Sequence, residues 1–419
     1  MLINFCVSNF RSLKDEQELS LVATKDKTYK DFNTTASGIK AAPFLLNSAV
    51  IFGPNAGGKS NLIKAFQYMR AVVVESSTKA PGQGYNVKPF LLDEESKDNP
   101  TKFEVTFVVA GVRYQYGFSM TEKRIVSEHL LVYKAFKPQM WFNRFYDEAK
   151  DEDVYDFGSS LKGQKSLWEA STRPNALFLS TAVQLNSGQL KTVFDWFSNR
   201  LVVFNEHAPL NQNFSINMLQ TLDGKKEICD FMSSADISVA DIDVISRKVP
   251  GQHLQFDVEK GEAKVSNEDI EQNELRFHHV TDKGKAIFDL QDESNGTRSL
   301  LFLAGPVLDI LKKGLVLVVD ELDTSLHPLL VHRLAQLFHD PVLNPNGAQL
   351  IFSTHDTSLL EADIFRRDQI WFVDKDGEQA SSLFALVEFS PRKNEALERG
   401  YLMGRYGALP FFRQWNGSK

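Results

Sequence analysis

Apolar side chains recur at every second position near the start of the chain, at Ile3, Phe5 and Val7, and the alternation resumes after a turn-like stretch. A period of two is typical of a strand with one buried face. The same pattern runs from Phe103 to Met120 and is interrupted only at Ala110-Gly111, where two small residues favour a tight turn. The pattern therefore predicts antiparallel strands in the first third of the chain.

A different pattern follows the apolar segment Leu45 to Phe52, which reads as a strand ending in a glycine-rich turn. Asn61 to Val74 has apolar residues along one face at helical spacing. Farther along the chain, helical and strand patterns alternate. The order is an apolar helix at Arg298 to Lys312, a buried strand at Leu315 to Val319, a helix at His327 to Phe338 and then another strand. Strands that alternate with helices predict a parallel sheet and an α/β fold class.

The middle of the chain has the weakest pattern. Helical stretches at Ser180 to Phe197 and Leu222 to Phe231 are separated by polar loops. We predict a compact, mainly helical insertion over residues 135–282. It would divide the main fold into a first part, 1–134, and a second part, 283–419.

Composition excludes several classes of protein. The 419 residues are 42% hydrophobic and 24% charged, which is ordinary for a globular protein. The apolar runs are too short to span a bilayer, the opening residues do not resemble a signal peptide, and the two cysteines cannot form a disulfide framework. A net charge of −7 gives no overall attraction to a polyanion. We expect a soluble cytoplasmic protein without a membrane partner.

The strongest motif is Gly53 to Ser60, which fits the pattern G-x-x-x-x-G-K-[ST] between a predicted strand and a predicted helix. The glycines let backbone N–H groups turn toward phosphates at the positive end of the helix. Lys59 would supply the charge for the β and γ phosphates, and the Ser60 hydroxyl would bind Mg²⁺. The predicted ATP-binding residues are Asn55, Ala56, Gly57, Gly58, Lys59, Ser60 and Asn61.

Three further motifs are interpreted as functional because the glycine loop is present. Asp320 and Glu321 end a buried strand at the edge of a parallel sheet where ligands bind, so Asp320 is predicted to help hold Mg²⁺ and Glu321 to polarise the attacking water. Ser294-Asn295-Gly296-Thr297 precedes the apolar helix and would by itself be an ordinary N-cap. His355 ends the strand after Glu321 and is predicted to be catalytic.

Together, in this order, these motifs resemble the ABC-ATPase head. In that family two heads share each nucleotide, so the resemblance implies a head-to-head dimer or a higher homo-oligomer. It implies that Ser294 and Gly296 contact the γ-phosphate in trans. It also implies that Leu322 to Ser325 forms the loop linking the two sites, and that His355 senses the γ-phosphate.

Within this group the chain is similar to RecF- and OLD-like ATPases and to the RloA-, AbiL- and PARIS AriA-like ATPases of anti-phage defence. The similarity rests on GPNAGGKS, ESNGTRSLLFLAG, DELDTSLHP, the closing YLMGRYGALP and the opening NFRSL, whose Arg11 would approach the nucleotide. Asn295 and Thr297 depart from the transporter signature. The glutamine that couples to the metal in relatives has three candidates, Gln67, Gln83 and Gln115.

Features of related proteins that this sequence lacks narrow the function. The middle segment shows no sustained heptads, so long coiled-coil arms are not expected, and the stretch after His355 is too short for the nuclease domain of OLD proteins. We therefore predict an ATP-hydrolysing sensor that controls a separately encoded effector, such as a nuclease, in response to a phage protein or nucleic acid. The alternative is a RecF-like ATPase that binds DNA in repair; binding to DNA or RNA is left open.

Overall fold

The alternating and helical patterns form the expected kinds of element in the computed structural model, which describes residues 1–204, 212–257, 262–324, 326–361, 363–392 and 395–409. The strands are β1 (Leu2–Ser8), β2 (Gln17–Ser20), β3 (Thr34–Ala36), β4 (Phe44–Leu46), β5 (Ser48–Phe52), β6 (Thr101–Val109), β7 (Val112–Met120), β8 (Ile125–Tyr133), β9 (Gln139–Asp147), β10 (Glu152–Phe157), β11 (Leu201–Phe204), β12 (Asp241–Asp257), β13 (Glu262–Thr281), β14 (Gly284–Asp289), β15 (Val316–Val319), β16 (Gln349–Ser353), β17 (Ile370–Lys375) and β18 (Ser381–Ala385).

Helices follow the strands of the parallel part and fill the middle of the chain. They are α1 (Lys30–Asn33), α2 (Lys59–Glu75), α3 (Glu94–Asp98), α4 (Lys165–Ser171), α5 (Phe178–Gln184), α6 (Gly188–Asp195), α7 (Gln212–Leu219), α8 (Leu222–Ser233), α9 (Asn295–Lys313), α10 (Pro328–His339) and α11 (Leu397–Leu402). Short 3₁₀ turns lie at Ser76–Thr78, Thr357–Leu360, Arg367–Gln369 and Leu386–Phe389, and a π-helical turn at Trp196–Arg200.

The antiparallel strands form a seven-stranded sheet in the order β10-β9-β8-β7-β6-β1-β2. The predicted hairpin is present as β6 and β7, which pair from Thr101 opposite Met120 to Val109 opposite Val112. Its turn residues Ala110 and Gly111 both have positive φ, at 49° and 74°. Two such residues make the turn whose twist matches that of the strands.

The second sheet has six strands in the order β11-β15-β16-β5-β17-β18. All neighbours are parallel except β17 and β18, which form an antiparallel hairpin at one edge. Its central strands β5, β15 and β16 are buried along their whole length, as expected for a sheet covered on both faces. The α/β fold class is confirmed. β5 lies between β16 and β17, so the glycine loop that follows β5 has the ends of these two strands as its neighbours.

The described residues cluster into two units. The first contains Met1–Ala208, Ile310–Thr324 and Val331–Lys419; the second contains Pro209–Asp309 and Ser325–Leu330. Within the second unit, β12, β13 and β14 form a three-stranded antiparallel sheet. Its helices α7 and α8 pack through buried residues such as Ile216 and Ile228.

The prediction of a mainly helical insertion over 135–282 is wrong for much of that segment. The helices are present, but β9 and β10 extend the seven-stranded sheet, β11 joins the parallel sheet, and β12 and β13 form a long hairpin. The alternation in β9 is hidden because a register irregularity beside Leu130 and Leu131 lets the consecutive residues Trp141 and Phe142 both be buried. The predicted strand Leu45 to Phe52 is also divided in two, at Asn47.

Candidate functional site

The glycine loop is shaped by close contact with its neighbouring strands. Gly53 has φ +152° and Gly58 has φ +122°, conformations that residues with a side chain rarely adopt. A Cβ at Gly53 would overlap the carbonyl oxygen of Val373 on β17, and one at Gly58 would overlap the Ser381 side chain on β18. The motif glycines are therefore required by packing, apart from the phosphate binding that the motif predicts.

Lys59, the first residue of α2, is folded back over this loop. Its ammonium donates hydrogen bonds to the carbonyl oxygens of Gly53, at 2.7 Å, and Pro54, at 3.2 Å. The residue is only 4% exposed. Burial lowers the pKa of Lys59, and the carboxylates of Glu321, Asp320 and Asp323 oppose that shift. A buried cation is thus held by the loop carbonyls, and acids from the end of β15 partly offset the cost of its burial.

Two of those acids, Asp320 and Glu321, are held by one hydroxyl group. Ser353, the last residue of β16, donates a 2.7 Å hydrogen bond to Asp320 Oδ1 and accepts one of 2.7 Å from the Glu321 backbone N–H. Glu321 has φ 49°, in the left-handed region that non-glycine residues seldom occupy. The Ser353 hydroxyl therefore fixes both the carboxylate of Asp320 and the unusual backbone of Glu321.

Glu321 and His355 lie within reach of each other. The His355 Nε2 atom is 3.3 Å from Glu321 Oε1, and Thr324 donates a 3.2 Å hydrogen bond to Glu321 Oε2. The backbone N–H of His355 donates to Asp323 Oδ2 at 3.1 Å. A carboxylate oriented by a hydroxyl and paired with an imidazole can accept a proton from a bound water.

Glu321 and His355 border one open cleft of about 690 Å³, within the size range of small-molecule sites. The predicted metal ligand Asp320 is not among the residues of its wall. Its wall comprises Pro54 to Asn61, Glu321, His355 and Lys375. Lys375, at the end of β17, was missed by sequence reasoning. Its only signal was its place at the end of a predicted strand, but the pairing of that strand with β5 was not predictable. Asn61 also donates a 2.7 Å hydrogen bond to Ser12 Oγ.

Some predicted site residues lie elsewhere. Arg11 does not line the cleft: its backbone N–H donates to Lys88 O and its guanidinium lies 5.6 Å from the centre of the Phe10 ring. The neighbouring Ser12 makes the contacts to the loop region instead. The glutamine candidates Gln67, Gln83 and Gln115 do not line the cleft either.

Ser294 and Gly296, which the resemblance predicts to contact the γ-phosphate in trans, belong to the second unit. The backbone N–H of Thr297 donates to Ser294 Oγ at 3.1 Å, so Ser294 caps the first turn of α9. Ser294 is exposed and Gly296 is partly exposed. Of the predicted linking loop, Leu322 to Thr324 is described and Ser325 lies outside the described residues.

The cleft fits the nucleotide and cation that its motifs imply. Backbone without Cβ atoms, a buried ammonium and a 17-residue helix beginning at the loop suit a polyphosphate. The Ser60 hydroxyl and the Asp320 carboxylate are hard oxygen donors of the kind Mg²⁺ prefers, and Mg²⁺ usually takes its other ligands from phosphate and water. No group of three or more acidic, histidine or cysteine ligands that could hold a metal occurs among the described residues.

A buried strand, a glycine loop closed by lysine and serine, and acids at the end of a nearby parallel strand define a P-loop nucleotide-binding protein. Residues 48–361 match the family model described as "AAA domain, putative AbiEii toxin, Type IV TA system". The chain therefore belongs to this family of P-loop ATPases.

Other comparisons add no functional argument. One similar solved structure is the crystal structure of the SmcHead bound to the C-winged helix domain of ScpA, with 12% identity, a TM-score of 0.39 and coverage of 92% of this chain and 97% of that chain. No curated protein shows significant similarity to the sequence. In the described part of the chain, no helix combines the length and apolar character needed to cross a membrane.

Ser353→Ala tests the hydroxyl that joins the two acids. The variant leaves a buried carboxylate oxygen and a backbone N–H without their partner, which we expect to lower the free energy of unfolding by about 1–3 kcal/mol. We also expect ATP turnover to fall at least tenfold while ATP affinity changes little. Urea denaturation, calorimetry and phosphate release measure these three quantities.

Ser48→Ala is the matched control. Ser48 is equally buried, at the start of β5, and its hydroxyl lies 2.8 Å from His339 Nε2, away from the acids. It should lose comparable stability and keep its turnover. Equal losses of turnover in both variants would show that Ser353 acts only through stability.

Proposed function

We propose that this protein binds ATP with Mg²⁺ in the Gly53–Ser60 cleft and hydrolyses it. The observation that carries the proposal is the placement of Lys59, a buried cation bonded to the loop and faced by the acids that follow β15. Family membership supports nucleotide binding, and the acids add groups for the chemistry.

Each residue of the cleft has a distinct role in this proposal. The loop N–H groups and Lys59 bind and orient the phosphates. Ser60 and Asp320 would hold Mg²⁺, which neutralises phosphate charge when bound. Glu321 accepts the proton of the attacking water, and Thr324 and His355 fix the carboxylate in place. His355 is exposed at the cleft and can also contact the γ-phosphate side.

The site is completed by a second copy of the chain. The cleft is open, and its own wall supplies no second anion-binding helix end. Ser294 and Gly296 match a motif that, in the family the sequence resembles, reaches the γ-phosphate of a partner head. They lie at the start of the 19-residue helix α9, whose N-terminus favours anions. ATP would then stabilise the pair through its higher affinity for the paired state.

The biological role we propose is sensing and control in anti-phage defence, through a separately encoded effector such as a nuclease. The family description, a putative toxin of a type IV toxin–antitoxin system, supports a two-component arrangement. The motif resemblance to RloA-, AbiL- and AriA-like ATPases supports defence. A phage protein or a nucleic acid would be the trigger.

Paired variants separate binding from hydrolysis. Lys59→Ala removes the cation that faces the phosphates, so ATP binding should fall by at least a hundredfold in calorimetry. Glu321→Gln keeps the shape of the side chain and removes the proton acceptor, so ATP should bind with wild-type affinity while phosphate release is nearly abolished. Wild-type turnover in Glu321→Gln would remove this residue from the mechanism. Unchanged affinity in folded Lys59→Ala would refute the nucleotide site.

A mixing experiment tests the shared site. Lys59→Ala and Ser294→Arg should each be inactive alone. A mixed pair holds one site with both defects and one with neither, so the mixture should recover activity. Ser294→Asp serves as the control variant, since aspartate preserves the helix cap and repels phosphate. It should behave as Ser294→Arg does. A mixture that stays as inactive as either parent, although mixed pairs form, would contradict sharing unless the two sites must act together.

The effector proposal is tested by expressing the chain with its neighbouring genes and isolating it by an affinity tag. A partner encoded beside this gene should co-purify, and its association should differ between wild type and Glu321→Gln, since the latter holds ATP. Cells carrying both genes should resist phage, and cells carrying Lys59→Ala should not. Full resistance from this gene alone would disprove the need for a separate effector.

A further inference from the structure

Three loops of the first unit meet beside the turn between β6 and β7. They are the segment between β3 and β4, the β6–β7 turn and the β8–β9 connection. Together they line a cavity of about 310 Å³, with Lys40, Arg113, Lys134, Tyr133 and Phe136 in its wall. We call this cavity the hairpin-end pocket. None of these residues borders the Gly53–Ser60 cleft.

The charge of the hairpin-end pocket contrasts with that of the whole chain. The protein has a net charge of −7, yet the segments 32–74, 105–121 and 129–146 that supply the three loops contain no Asp or Glu. Lys40 and Lys134 are exposed. No carboxylate among the described residues forms an ion pair with Lys40, Arg113 or Lys134, although surface pairs are common elsewhere in the chain. Positive charge is therefore concentrated here without ion-pair partners among the described residues, which favours an anionic ligand.

Planar and apolar groups accompany that charge. The Arg113 guanidinium lies 3.6 Å from the centre of the Tyr133 ring, so that a flat cation covers a flat ring. Phe136 is 78% exposed, between Lys134 and Lys137 in the chain. Most of this phenylalanine ring is therefore in contact with solvent. It offers a face on which a planar group can stack.

Two glycines leave room for a ligand at the backbone. Gly38 and Gly111 both have positive φ, and a Cβ on Gly38 would lie 3.9 Å from Gly111 Cα. Around Gly111 no atom lies within 4 Å of the position a Cβ would take. The floor of the pocket is thus backbone with open space above it, flanked by cations and rings.

We propose that the hairpin-end pocket binds single-stranded nucleic acid, with a base stacked at Phe136 and the Arg113–Tyr133 pair and phosphates on Lys40 and Lys134. Cations beside aromatic rings are the combination that single strands select, because every base has a stacking face and every link carries a phosphate. A duplex hides its bases from such rings. A membrane surface would use the cations and Phe136 but has no planar group for the Arg113–Tyr133 pair.

The test uses the full chain carrying Lys59→Ala, so that an oligonucleotide cannot be held by the ATP cleft. The probe is a fluorescein-labelled 20-nucleotide single strand, as DNA and as RNA, with fluorescence anisotropy as the readout. Binding should occur at micromolar or tighter affinity and weaken with added salt. Lys134→Glu should weaken it at least tenfold, and Phe136→Ala about five- to a hundredfold through loss of stacking.

Matched controls separate this site from unspecific charge effects. Lys123→Glu changes an exposed lysine in the β7–β8 turn, in another connection of the same sheet, and Leu92→Ala removes another exposed apolar side chain. Both should bind the probe within threefold of the parent. All four changes are at exposed positions, so melting temperatures should stay close to that of the parent.

Other outcomes overturn the proposal. Equal affinity for the duplex of the same sequence would show backbone binding without stacked bases. Binding of free mononucleotides that abolishes all oligonucleotide binding at equal concentration would show a small-molecule pocket. Binding to anionic lipid vesicles, without binding to the probe, would show a membrane surface. Every protein in this test carries Lys59→Ala. A failure of the proposed ATP binding or hydrolysis in the wild-type protein would therefore not change the interpretation of these binding results.

Discussion

The contact between the glycine loop and the β17–β18 hairpin is the constraint on which the site depends. Gly53 and Gly58 adopt positive φ and lie against Val373 and Ser381 so closely that no Cβ fits. The hairpin can therefore pack only against a loop of this composition. Ser381 Oγ also donates a 2.6 Å hydrogen bond to Gly57 O, which fixes the loop against β18. Phosphate-binding geometry is held by the sheet and does not rely on the loop alone.

The buried charge of Lys59 couples the glycine loop to the acids that follow β15. An isolated ammonium in the interior would be costly, and carbonyl oxygens alone do not neutralise it. The acids after β15 supply the opposing charge to Lys59, and Ser353 keeps Asp320 and Glu321 beside it. The strand order makes this possible, since β16 lies between β15 and β5. The group that orients the acids thus comes from β16, which pairs with β5, the strand that leads into the loop.

Much of the site could be predicted because its signals are local. The loop, its helix and the acids after β15 are each encoded by a short stretch of sequence. Lys375 and Ser353 could not be found in this way, since their roles arise from which strands become neighbours. The place of Arg11 could not be read from its motif, which identifies a segment but not which side chains line the cleft. The strands of the middle segment were missed because bulges and polar faces blur their period.

Net charge is a poor guide to where this protein meets anions. The value of −7 describes the whole chain, whereas screening limits each exposed charge to a range of about 10 Å. Lys59 lies in a cleft where nearby acids oppose its charge, so its field is local. The hairpin-end pocket has exposed cations and no such acids in the segments that form it. Under the two proposals made above, the same acidic chain presents one site for a metal-bound polyphosphate and another for a bare phosphate backbone, and salt should weaken only the second strongly.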